Sequence, residues 1–215
     1  MEPILTPGGT GIIGPKIKPV KEERPLRKLV IFASGSGTNA EKIITHFQGS
    51  GLATVSLIVC NNPKAGVIEV ASRHGIPVDL IDRKRLNDPS GLSATLLRLP
   101  ADLIVLAGFL WKVPDHLVRL FQGKILNIHP ALLPKFGGKG MFGNHVHEAV
   151  VRAGENLSGI TIHLVNERYD EGPPLLQRTV PVDPSDTPVS LAQKVQKLEH
   201  EWYPQVIEQF LKNNP

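Results

Sequence analysis

Asn127-Ile128-His129-Pro130 puts an amide and an imidazole two residues apart at the end of an apolar run that starts at Ile125. In an extended strand, residues i and i+2 point to the same face, so the two side chains present themselves together. An amide beside an imidazole suits addition to a carbonyl: the amide can hold a developing oxyanion and the imidazole can move protons. Polar groups in an apolar strand cost stability unless partnered or used. A satisfied end-of-strand pair is therefore the competing reading. Asp170, in the turn Tyr169-Asp170-Glu171-Gly172-Pro173-Pro174, has two readings as well. It could hydrogen-bond its own backbone as a turn-former, or it could orient His129 and favour its protonated form.

A second constellation is Ser34-Gly35-Ser36-Gly37-Thr38-Asn39, directly after the run Leu29-Val30-Ile31-Phe32-Ala33. Backbone amides at a helix N-terminus attract anions, and glycines let a phosphate approach closely. Gly35, Gly37 and Ala40 even satisfy a dinucleotide spacing. That reading needs an Asp or Glu at the end of the next strand for the ribose hydroxyls, and the chain offers Cys60-Asn61-Asn62 there. A lone phosphate is favoured over a dinucleotide; a tight turn that binds nothing is the alternative.

His145-Val146-His147 resembles a metal pair only on paper, because residues i and i+2 of a helix do not share a face. No metal is expected. Cys60 and His163 fall inside strands and read as packing or structural residues, while His46, His74 and His116 read as surface or helix-end residues.

These groups need a scaffold. The runs at 29–33, Val55–Cys60, Leu103–Ala107 and Ile125–Ile128 are short, apolar and bounded by turn residues, which predicts parallel strands buried on both faces. Helices are expected between them, over Ala40–Phe47, Gly66–His74, Ser90–Leu99 and Pro114–Phe121. After Pro130 a loop with Gly137, Gly138, Gly140 and Gly143 leads to a helix over about His145–Ala153. Alternating segments at Gly159–Val165 and Leu175–Val182 follow, as expected for antiparallel strands with one wetter face. A long amphipathic helix opens near Asp186 or Thr187. The fold class is α/β: a Rossmann-like doubly wound sheet, parallel in its N-terminal half, with an antiparallel C-terminal extension. Asn127 and His129 then lie at the carboxyl edge of a parallel strand, where open α/β sheets place ligands.

Residues 1–27 differ. Gly8, Gly9, Gly11, Gly14 and four prolines precede the run Lys21-Glu22-Glu23-Arg24, with no apolar period. They read as a flexible leader, and 28–215 as one domain. A secretory signal would need ~7–15 apolar residues after a basic start, and Ile12-Ile13 is too short.

Composition bounds the partners. A single cysteine excludes an internal disulfide framework and fits a reducing compartment, here the cytoplasm. Nothing approaches the ~20 apolar residues of a membrane span. Lys+Arg 24 against Asp+Glu 20 gives +4, an excess that suits anionic small substrates without demanding nucleic acid. Aromatic residues at 5% argue against a base-stacking surface. The expected partners are small molecules, with the protein a monomer or homodimer.

From Lys28 to Leu211 the chain resembles the phosphoribosylglycinamide formyltransferases, folate-dependent enzymes of purine biosynthesis. The resemblance is carried by Ala33-Ser34-Gly35-Ser36-Gly37-Thr38-Asn39, Leu106-Ala107-Gly108-Phe109, Asn127-Ile128-His129-Pro130-Ala131-Leu132-Leu133-Pro134-Lys135, Asp170-Glu171-Gly172-Pro173, and Glu199-His200 ahead of Tyr203-Pro204. It implies formyl transfer from 10-formyltetrahydrofolate, a co-substrate, to the primary amine of glycinamide ribonucleotide, without metal. It implies that Asn127 and His129 are catalytic and that Asp170 supports the histidine. Gly37, Thr38 and Asn39 would bind the ribonucleotide's phosphate and ribose, and Glu199 its glycinamide. Leu110, Trp111, Lys112 and Val113 would line the folate pocket, with Asn127 at its inner end. The chain departs from many relatives in carrying Leu110-Trp111 where they have Met-Arg, and in offering Arg83 or Arg85 near the place of a folate-contacting arginine. Residues 137–144 form a longer loop, read here as a surface variant in preference to a lid. The rivals are a formyltetrahydrofolate hydrolase, which as a family carries an N-terminal regulatory domain, and a methionyl-tRNA formyltransferase, which carries a further C-terminal domain. A non-catalytic sugar-phosphate-binding module is a third, but it would need none of Asn127, His129 and Asp170.

Overall fold

In a computed structural model that describes residues 25–214, the four apolar runs form parallel strands β1 (Arg27–Ala33), β2 (Ala53–Cys60), β4 (Leu103–Leu106) and β5 (Ile125–His129), and a fifth parallel strand, β3 (Val78–Leu80), joins them. The alternating segments form β6 (Leu157–Leu164) and β7 (Pro174–Pro181), antiparallel to their neighbours. The seven strands make one sheet in the order β3-β2-β1-β4-β5-β6-β7. Helices α1 (Thr38–Phe47), α2 (Val67–Arg73), α3 (Arg83–Asn87), α4 (Leu92–Arg98), α5 (Asp115–Leu120), α6 (Asn144–Arg152) and α7 (Pro188–Asn213) complete the chain.

β1 shows why its residues are all apolar. Leu29, Ile31 and Ala33 join a core with Ile43 of α1, Val67 of α2 and Leu191 of α7. Val30 and Phe32 point the other way, into a core with Leu96 of α4 and Leu117 of α5. All five are fully buried, as a strand covered by helices on both faces requires. β7 lies at the sheet edge and alternates exposed with half-buried residues.

Two elements escape the apolar-run rule. β3 has three residues on the other edge, one of them Asp79, and none is fully buried. α3 has five residues and one buried side chain, Leu86; it is set by its cap, Asp82, whose carboxylate accepts from Arg85 N at 2.7 Å. The first strand also begins at Arg27, one residue ahead of the expected boundary. Lys28 N there donates to Asp102 Oδ2 at 2.7 Å. The remainder of the expected leader, 1–24, lies outside the described residues.

Chain order places the crevice. From β1 the connections run outward to β2 and β3; from β4 they run the other way to β5. Loops leaving the carboxyl ends of β1 and β4 therefore diverge, which opens the sheet to ligands at this point. The loops are tied across the gap: Ser34 N donates to Gly108 O at 3.0 Å and Leu110 N to Ser34 Oγ at 2.9 Å. Tyr203 of α7, fully buried, bonds through its hydroxyl to the carbonyls of Leu106 and Leu126 at 3.0 and 3.1 Å, beneath the same edge.

α7 opens with a reciprocal cap. Thr187 Oγ1 accepts from Ser190 N and Ser190 Oγ accepts from Thr187 N. Asp186 sits beside it, bonded by Lys194 at 2.6 Å and Ser190 Oγ at 2.7 Å, and the lysine contact holds its carboxyl down at about 2. A carboxylate depressed in the fold contributes stability above its unfolded value, and that contribution is lost as pH falls through the folded one. Asp186→Asn should therefore lower Tm at pH 7, and thermal melts should show the gap to wild type closing between about pH 4 and pH 2. A gap independent of pH would mean the ionised carboxylate is not the stabilising group.

Candidate active site

A cleft of about 780 Å³ opens along the carboxyl edge of β1, β4 and β5. Its walls include the glycine turn 35–39, residues 106–113, Asn127 and His129, the 138–144 loop, Asp170, and Gln196 and Glu199 of α7. Every residue given a role by the resemblance thus lines one space, although they come from five stretches of chain.

At its centre, His129 is 4% exposed. Its Nε2 donates to Phe136 O at 2.8 Å, and its Nδ1 faces Asp170 Oδ2 at 3.6 Å. Asp170 Oδ2 also accepts from Gly138 N at 2.8 Å. Asp170 therefore faces both the imidazole and the glycine loop. Both ring nitrogens face protein groups. Phe136 and Asp170 both adopt left-handed backbone, φ 56° and 55°, a conformation that non-glycine residues rarely hold without a packing or functional reason.

Two expectations need correction. His163, read as a packing or structural residue, lies against Asn127 across the β5–β6 ladder, with Asn127 Nδ2 and His163 Nε2 3.1 Å apart. It is buried, lines the cleft, and sits 3.7 Å from Asp170 Oδ1. Strand alternation could have found it: His163 shares a face with Thr161, and an imidazole in the row facing Asn127 belongs to the site. The 137–144 loop, read as a surface variant, contributes residues 138–144 to the cleft wall. His145 is exposed and His147 buried, as their spacing on α6 requires. His147 Nδ1 has no hydrogen-bond partner in the protein, and burial lowers the affinity of the ring for a proton.

The glycine turn separates into two roles. Gly37 has φ +82°, and a Cβ there would come within 2.6 Å of Val67 Cα. It is glycine for the fold. A side chain at 37 would strike α2 before it met any ligand. At Gly35 a Cβ meets nothing within 4 Å. Gly37→Ala should lower Tm by ~5 °C or more, whereas Gly35→Val should leave Tm within ~2 °C and weaken binding of a phosphate-bearing ligand by calorimetry. Unchanged affinity in folded Gly35→Val would remove the anion assignment.

Next to the turn, Asn39 Nδ2 donates to Glu199 Oε2 at 2.8 Å, and Asn39 Oδ1 is buried without a partner in the protein. Thr38 Oγ1 accepts from Gln196 at 3.2 Å. Burial pushes the Glu199 carboxyl up, against the opposing effect of the Asn39 hydrogen bond. At the other end, Arg83 stacks on the Trp111 ring at 4.6 Å, a favourable cation–π geometry. Arg85 is committed elsewhere, bidentate on Asp79 with a third bond to Thr95. Leu110 is half exposed, Val113 is buried, and Lys112 pairs with Asp115 at 2.8 Å.

An amide and a buried imidazole–carboxylate pair between an anion-binding turn and an apolar arm suit acyl-type transfer between two bound molecules. The chain belongs to the formyl transferase family, which it matches over residues 27–207. Within that family its similarity is to phosphoribosylglycinamide formyltransferases. It is 39% identical to the Bacillus subtilis protein, over 86% of this chain and 95% of that one. It is 43% identical to the chloroplastic protein of Vigna unguiculata over 85% of this chain, and spans 60% of that protein's length. The structure of the phosphoribosylglycinamide formyltransferase from Bacillus halodurans superposes with a TM-score of 0.79 at 36% identity, covering 88% of this chain and 97% of that one. No described helix is long and apolar enough to cross a membrane.

Proposed function

We propose that this protein transfers the formyl group of 10-formyltetrahydrofolate to the primary amine of glycinamide ribonucleotide, in the cytoplasm. One observation carries the reading: a single cleft joins an anion-suited turn, the Asn127–His129–Asp170 cluster and an apolar arm bearing an aromatic–arginine stack. The turn at 35–39 takes the phosphate and ribose, Glu199 with Asn39 takes the glycinamide, and the arm 110–113 with Arg83 takes the folate.

The free amine attacks the formyl carbon and a C–N bond forms. Negative charge gathers on the formyl oxygen, where the Asn127 amide donates. The Phe136 carbonyl marks where an acceptor sits relative to His129 Nε2; an oxyanion taking its place receives the imidazole's hydrogen bond, with Asp170 behind the ring. The tetrahedral species collapses as the bond from the formyl carbon to N10 of the folate breaks. The proton lost by the attacking nitrogen ends on N10. Holding both reactants in one cleft turns the encounter into an effectively unimolecular step.

Glu199 supplies a test with two signs. A carboxyl raised in the fold contributes its stability below the unfolded value, and the contribution disappears as pH rises through the folded one. Glu199→Gln should accordingly melt higher than wild type at pH 7–8 and alike at pH 4. The same variant should bind the ribonucleotide ~10-fold or more weakly, the scale of a lost charge-assisted hydrogen bond. Unchanged ribonucleotide affinity would free Glu199 from this role.

The function is tested by following 10-formyltetrahydrofolate consumption with and without glycinamide ribonucleotide. Strictly amine-dependent consumption supports the transferase. Equal consumption without amine means a hydrolase, and binding of the ribonucleotide with no consumption means a sugar-phosphate-binding module.

A further inference from the structure

We propose that His163 is a positioning residue that sets the amide of Asn127 with one N–H turned toward the cleft. The inference rests on Asn127 as the oxyanion donor and goes beyond that reading to the group that orients it. His163 Nδ1 lies 2.8 Å from Leu164 O. A carbonyl only accepts, so Nδ1 carries the ring proton and Nε2 presents a bare lone pair. Asn127 Nδ2, 3.1 Å from Nε2, supplies the matching donor. Turned over, the amide would set its oxygen against that lone pair, acceptor against acceptor. The imidazole thus distinguishes the two ends of an otherwise nearly symmetric group. Nδ2 carries two hydrogens; one is used on His163, and the second belongs to a side chain that lines the cleft.

The backbone fixes the tautomer in turn. Leu164 N donates to Pro173 O at 3.0 Å, and a Cβ on Gly172 would stand 1.7 Å from Leu164 O. Only glycine lets the 165–173 turn close over this carbonyl, so the turn that delivers Asp170 also holds the acceptor that keeps the His163 proton on Nδ1. Burial lowers the affinity of this ring for a second proton, and outweighs the opposing effects of the Leu164 carbonyl and of Asp170 Oδ1, 3.7 Å away; the neighbouring His129 adds to the lowering. The neutral acceptor is the state the site maintains.

The test compares His163→Leu, which deletes the acceptor, with His163→Gln, whose amide oxygen can reach the place of Nε2 and has no proton to gain. His163→Leu is expected to lower kcat by ~10-fold or more, toward the effect of a lost oxyanion donor, with the ribonucleotide KM within ~3-fold. His163→Gln should recover kcat to within ~3-fold of wild type. In the Asn127→Ala background, His163→Leu should add less than ~2-fold, because the two act through one another. In folded wild type, NMR should also show a nitrogen–nitrogen coupling across the Asn127–His163 hydrogen bond, a readout independent of activity. Absence of that coupling, or wild-type kcat in folded His163→Leu while Asn127→Ala is impaired, overturns the positioning role. Wild-type kcat in Asn127→Ala overturns the oxyanion assignment itself, and the positioning role with it.

Discussion

Asn127→Ala is expected to lower turnover by ~10²–10³-fold, the scale of one lost oxyanion donor, while ribonucleotide affinity changes by less than ~5-fold. The separation of effects follows from the layout. Asn127 sits in β5 two residues before its carboxyl end, and the proposed phosphate contacts sit in the turn after β1, two strands away in the sheet. Steady-state kinetics with both substrates varied, beside calorimetry of the ribonucleotide alone, measures both quantities. A loss confined to KM would make Asn127 a binding group with no special contact to the transition state.

The second large effect is expected at His129. His129→Ala and Asp170→Ala should each lower turnover by ~10²-fold or more. The double variant should be little worse than His129→Ala alone, since the carboxylate acts through the ring it faces at 3.6 Å. Asp170 also accepts from Gly138 N, so Asp170→Asn is the sharper variant: it keeps a hydrogen-bonding side chain for the loop and removes the charge. If Asp170→Asn turns over like wild type while Asp170→Ala does not, the residue serves the loop and not the imidazole. Circular dichroism and Tm on each variant separate a lost contact from a lost fold.

Most of this architecture was legible because burial on both faces leaves a plain mark. β1, β2, β4 and β5 are each built around a short apolar run, and Asn127 and His129 stand out because nothing else polar shares their strand. What escaped has a physical cause in each case. β3 and α3 bury too little to need an apolar pattern. His163 lies in β6, where alternation suggested one wet face, yet residues 158–163 are all buried, so a polar residue there is a question about partners before it is one about packing. Gly37 looked like space for a ligand and is space for Val67. The proximity of Asp170 to His129 depends on a strand pairing that joins β5 to a segment more than thirty residues on, and a local pattern carries no such information.

The most direct measurement of the central claim is a single-turnover reaction with formyl-labelled 10-formyltetrahydrofolate and saturating glycinamide ribonucleotide, in wild type and in Asn127→Ala. With both ligands bound, the rate reports bond making and breaking apart from affinity. The label should appear on the glycinamide nitrogen, with a rate at least ~10²-fold lower in the variant. Label released as formate in wild type, or transfer at the wild-type rate in Asn127→Ala, would contradict formyl transfer at the end of β5.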